Sequence, residues 1–172
     1  MPARTRSRIA AAAVIALASA FGSGIIVAHW VSADTGAPVP LDLTTTRAGP
    51  PFAGYPEVYA AVDGRCRRLA VADTAARRAR GLRGVDDLSP YAGLLFAQRT
   101  DTDIPFTMAG TTRPLDIVWY AAAGFRVDAT RMWPCPKTDP AECPVYRSAH
   151  PYRFALETPA GTSTAGPIAA CG

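Results

Sequence analysis

The sequence predicts a mostly-β domain, a small sandwich or partly closed barrel with one short helix. Three observations predict it. Sixteen Pro and 14 Gly in 172 residues leave little room for long helices. Short runs of β-branched and aromatic residues recur between turn signals, the densest being Leu-Asp-Ile-Val-Trp-Tyr at 115–120. One short stretch, 75–80, carries both a helix start and a helix stop. A hydrophobic fraction of 49% against 19% charged residues excludes wholesale disorder.

The chain opens with Arg4, Arg6 and Arg8, followed by an uncharged run at 9–31. As a helix this run spans about 34 Å, enough for a hydrocarbon core of about 30 Å. The preceding arginines put the N-terminus in the cytoplasm and the rest outside, as a single-pass plasma-membrane protein. Val31-Ser32-Ala33 resembles a signal-peptidase site, and cleavage there would release a secreted domain. Residues 1–33 are thus an anchor or a signal, and length favours the anchor. Residues 34–54, with Pro38, Pro40, Pro50, Pro51 and three consecutive Thr, read as an extended linker. Residues 55–172 form the outer domain.

Residues 57–62 and 65–72 read as strands joined by Asp63-Gly64, a two-residue hairpin signal. Asp73 or Thr74 caps the helix, and Gly81 ends it. Its arginines form a solvated basic face. Residues 93–97, 106–108, 115–120, 125–132 and 152–158 read as further strands. Residues 133–151 read as a long loop and 162–172 as a small-residue tail.

The formal charge of +4 is mostly the leading arginines; the outer part is near neutral, so nucleic acid is not an expected partner. The four cysteines, Cys66, Cys135, Cys143 and Cys171, suggest two disulfides in an exported chain. Cys135 and Cys143 bracket a Pro-rich loop, and closing it would contribute about 2.6 kcal/mol in the chain-entropy model. Cys66 and Cys171 then pair by default. No CxxC spacing supports zinc, so no metal is expected, nor any cofactor, since there is no phosphate-binding glycine motif.

Catalytic groups are few. There is no nucleophile elbow, and His150 sits in a loop between Ala149 and Pro151. Asp116 opens the strongest apolar strand and must find donors, such as Arg113 or backbone N–H groups, or shift its pKa. Trp133 and Tyr146 flank the disulfide loop and are candidate contact residues.

Several ordered blocks resemble the uncharacterised bacterial and archaeal family known as domain of unknown function 192. They are Val71-Ala72-Asp73-Thr74 with Arg78-Ala79-Arg80-Gly81-Leu82, then Gly93-Leu94-Leu95-Phe96, then Phe106, Met108 and Thr111 with Pro114-Leu115-Asp116-Ile117. Cys143-Pro144-Val145-Tyr146, Ala155-Leu156-Glu157 and Pro159-Ala160-Gly161 complete the set. The resemblance covers about 66–161 and implies a small, mostly-β domain with one short helix and no established activity. Where the family has Lys-Asn this chain has Ala109-Gly110. Where it has Met this chain has Arg83, and where it has Trp, Thr107. The family tends to end with a further strand, whose anchoring a Cys66–Cys171 bridge would replace here.

The expectation is a membrane-anchored outer module that binds an envelope protein, a glycan or a small ligand. Its candidate ligand residues are Asp73, Met108, Thr111, Asp116, Trp133 and Tyr146. The alternative is an envelope hydrolase or isomerase with Asp116 as acid or base at the floor of a pocket.

Overall fold

The structure is a computed structural model, and it describes residues 46–162 and 166–171. The apolar run at 9–31 lies outside the described residues. Among the described residues no helix is long and apolar enough to cross a membrane.

The domain is mostly β with a single short α-helix. In chain order the elements are β1 (Thr46–Arg47), β2 (Pro56–Val62), β3 (Arg65–Ala72), α1 (Ala75–Arg80), β4 (Gly93–Thr102) and β5 (Phe106–Thr107). There follow β6 (Leu115–Tyr120), β7 (Arg126–Met132), β8 (Val145–Tyr146), β9 (Tyr152–Pro159) and β10 (Ile168–Ala170). The main sheet runs β1-β2-β3-β4-β9-β6-β7, with β10 also pairing β2. It stays open: β7 is one edge, and β1 and β10 share the other. β5 and β8 form a separate two-stranded ribbon.

Local chemistry explains the first half. Asp63 and Gly64 both take positive φ, 52° and 69°, as a two-residue turn matching strand twist requires. Thr74, rather than Asp73, is the helix N-cap and accepts from the Arg77 N–H; Gly81 closes the helix at φ 54°. The one parallel pair in the sheet, β3 with β4, needs a crossover, and α1 with the 81–92 loop supplies it.

Three boundaries differ from the sequence reading. Residues 46–54, read as linker, are part of the fold: β1 pairs β2, and Ala48 and Phe52 are buried. Phe52 packs edge-on against Tyr91, whose hydroxyl accepts from the Gly49 N–H. The tail is not loose, because β10 pairs Ile168 with Val62 and buries Ile168. This chain therefore has both a terminal strand and the Cys66–Cys171 bridge. Finally, the 133–151 loop contributes β8 and a 3₁₀ turn at Pro140–Glu142, held by the Cys135–Cys143 bridge.

The central strands β3, β4, β9 and β6 each bury a run of consecutive residues on both faces, 69–72, 93–97, 155–158 and 115–120. Alternation splits their side chains into two clusters. Ala70, Ala72, Leu94, Phe96, Ile117, Trp119 and Ala155 share one face with Leu82, Tyr91, Met108 and Tyr152. Leu69, Val71, Leu95, Val118, Tyr120 and Leu156 share the other with Val58, Val62 and Ile168. β4 and β9 approach closely at Gly93, where a Cβ would lie 2.4 Å from the Glu157 carbonyl oxygen, so only glycine fits.

Candidate functional site

β9 lies between β4 and β6, and its register sets Glu157 opposite both Leu94 and Ile117. The side chain therefore falls on the apolar face covered by α1 and the β5–β8 ribbon. Glu157 is 4% exposed and makes no hydrogen bond or ion pair among the described residues. Burial alone pushes its carboxyl up to about 8, so at neutral pH it is mostly protonated.

Glu157 lines a cleft of about 450 Å³. Leu82, Phe96, Ile104 and Phe106 supply its apolar walls, and Phe106 packs edge-on against Phe96. Arg78, Arg80 and Arg83 line it from α1 and the turn that follows. Arg78 is committed to the carbonyls of Asp73 and Ala97, at 2.8 and 3.0 Å. The Arg80 and Arg83 side chains have no partner among the described residues. Tyr152 also lines the cleft; its hydroxyl donates to the Ile104 carbonyl at 2.6 Å, and burial raises its pKa. On the same face the Trp119 indole N–H is buried without a partner among the described residues.

The departures from the family pattern gather here. Gly110 has φ +71°, a left-handed conformation that Asn and Gly adopt with least strain. A Cβ at Gly110 would sit 3.6 Å from Arg83 Cγ, so the Arg83 stem lies against this glycine. Ala109, standing where the family has Lys, lines the cleft and is buried. Position 109 thus offers Glu157 no cation.

The residues singled out from sequence fall in different places. Thr111 lines the cleft, with its hydroxyl donating to the Met108 carbonyl. Met108 is fully buried in the core. Asp73 sits at the start of α1, paired with Arg77. Trp133 is 62% exposed, and its backbone N–H donates to the Tyr146 hydroxyl at 2.9 Å. Tyr146 pairs Phe106 across the β5–β8 ribbon, so this aromatic pair lies behind one cleft wall.

Asp116 is 3% exposed and does not line the cleft. It sits opposite Arg131 in the β6–β7 register, and Arg131 donates to both its oxygens at 2.8 and 3.3 Å. The Gly161 N–H donates to Oδ2 at 2.7 Å. Its guanidinium partner is therefore Arg131, across the hairpin, where the sequence suggested its neighbour Arg113. This carboxylate ties β6 to β7 and to the turn after β9. Asp116→Ala is expected to cost about 2–3 kcal/mol in urea unfolding, since it leaves the Gly161 N–H without its acceptor.

Glu157 was not among the sequence candidates. Alternation groups it with Arg153 and Ala155, a pattern that reads as a solvated face. Its signals were an acidic residue directly after Phe154-Ala155-Leu156 and its place in one of the blocks that carry the family resemblance.

Two solved structures share this fold. One is a protein of unknown function from Novosphingobium aromaticivorans DSM 12444, with TM-score 0.58 and 21% identity, covering 73% of this chain and 94% of that one. The other, from Sinorhizobium meliloti 1021, is described as a candidate transcription regulator; it has TM-score 0.56 and 22% identity, covering 66% of this chain and 93% of that one. No curated protein matches the chain. The model of the family DUF192, described as uncharacterized ACR, matches residues 58–170, a span that includes Arg83, Gly110 and Glu157. The chain belongs to the DUF192 family.

Proposed function

We propose that this protein is an extracytoplasmic binding module, carried by its N-terminal apolar segment, whose cleft beside α1 takes a small ligand. Glu157 carries the reading. A buried carboxyl with no partner costs the fold free energy, and such costs concentrate where a ligand completes the site. The cleft volume falls in the range of small-ligand sites, about 300–1,000 Å³. The two disulfides, Cys66–Cys171 and Cys135–Cys143, suit an oxidising compartment. Exposed Val145 in the ribbon that walls the cleft, and exposed Trp133 hydrogen-bonded to the ribbon's Tyr146, suit contact with an envelope protein or a glycan.

The hydrolase or isomerase reading through Asp116 has weaker support. Arg131 and the Gly161 N–H already occupy that carboxylate, whereas Glu157 faces open volume. A thermal-shift screen of the full-length chain against small polar metabolites tests the proposal, run beside Glu157→Gln and Asp116→Asn. Ligands that stabilise the parent but lose their effect in Glu157→Gln support it. Ligands that lose their effect only in Asp116→Asn would move the site. Protease accessibility on intact cells, with carbonate extraction of membranes, tests delivery to the outer face.

A further inference from the structure

Resting on that reading, we propose that the ligand is a zwitterion, with an ammonium group seated on Glu157 at the cleft floor and an anionic group held at its mouth by Arg80 and Arg83. Burial sets the depth of the two poles. Glu157 is 4% exposed, Arg83 is half-buried and Arg80 is exposed. Burial pushes the Glu157 carboxyl up to about 8, as expected of an acid without a cationic partner. Leu82, Phe96 and Phe106 line the same cleft, and these apolar walls suit a short aliphatic or aromatic spacer.

Each pole lacks an internal counter-charge. Arg78 is tied to two backbone carbonyls, but Arg80 and Arg83 meet no carboxylate among the described residues. The Arg83 stem lies against Gly110, which limits where its guanidinium can point. An anion there gains charge-assisted hydrogen bonds without displacing an existing ion pair. At the floor, a neutral donor leaves Glu157 protonated. An ammonium instead displaces the carboxyl proton to solvent and forms an ion pair inside the apolar walls, where Coulomb attraction is strong.

The other ionisable groups lining the cleft are Arg78, Arg80, Arg83 and Tyr152. Burial raises Tyr152 above its ordinary value and pushes Glu157 up to about 8, within the working range. Because ammonium binding expels one proton, affinity rises about tenfold per pH unit up to pH 8.

The test is isothermal titration on the full-length chain in nanodiscs. The probes are 4-aminobutyrate, 6-aminohexanoate and 8-aminooctanoate, which vary the distance between poles. Controls are 6-hydroxyhexanoate, which lacks the cation, and 6-amino-1-hexanol, which lacks the anion. One spacer length is expected to bind best, and each control to bind at least about tenfold more weakly. Glu157→Gln should abolish the advantage over the hydroxy acid together with the pH dependence. Arg80→Gln with Arg83→Gln should abolish the advantage over the amino alcohol. Equal binding of 6-hydroxyhexanoate, with affinity flat or falling toward pH 8, would overturn the zwitterion while leaving the cleft a ligand site. Failure of every amino acid at millimolar concentration also overturns it. The cleft reading itself falls only if the metabolite screen, too, yields no ligand that depends on Glu157.

Discussion

Glu157→Gln is expected to equal the parent in stability at pH 4 and to exceed it at pH 8. The sign follows from where the proton sits. The folded carboxyl titrates near 8, above its ordinary value of 4.5, because burial disfavours the charged form. Between those two values the folded chain holds a proton that the unfolded chain has already lost. Unfolding then releases a proton, so the parent loses stability as pH rises, by at most about 1.4 kcal/mol per pH unit. Below about 4.5 both states are protonated and the dependence vanishes; above 8 the loss is complete. Gln has nearly the same shape and no charge, so it removes the slope without opening a cavity. Urea unfolding at pH 4, 5, 6, 7 and 8 measures both slopes. Parallel slopes for parent and variant would show that the carboxyl is hydrated or partnered, and the site would lose its basis.

Removing the Cys66–Cys171 bridge is expected to have the largest effect of any pair of substitutions. The two residues are 105 apart in sequence, so the bond closes nearly the whole described domain into one loop. The chain-entropy model gives about 4.8 kcal/mol for a loop of that length, against about 2.6 kcal/mol for the loop closed by Cys135–Cys143. Total stabilities of small domains are about 5–15 kcal/mol, so the loss is a large share. Cys66→Ser with Cys171→Ser should lower the urea midpoint by more than Cys135→Ser with Cys143→Ser. Hydrogen exchange should locate the damage. β10 pairs β2 over three residues only, and its amides should lose protection first. If the two double variants lose the same stability, residual order in the unfolded chain, not loop length, governs the bonds.

Much of this molecule is legible one segment at a time. The Asp63-Gly64 turn, the Thr74 cap, the Gly81 stop and the β-rich character follow from backbone preferences within a few residues. The cysteine count and the Pro-rich loop pointed to the bonds that form. The family resemblance rested on short blocks of the same kind. By contrast, residues 46–54 look like a linker because their Pro content is local, while the burial of Phe52 against Tyr91 is not.

The candidate site belongs to the second class. An alternating strand announces two faces but not which of them another element will cover. Asp116 looked exceptional because it opens an apolar strand, yet its partner Arg131 comes from the next strand of the hairpin and satisfies it. Glu157 looked ordinary because Arg153 and Ala155 share its face. The tertiary structure places β9 between β4 and β6, and then lays α1 and the β5–β8 ribbon near that face. Local sequence alone determined the turns, the caps and the β-rich pattern. The parallel β3–β4 crossover and the central place of β9 depend on pairings between distant segments. Those pairings decided that a glutamate in an alternating strand would be buried without a partner among the described residues.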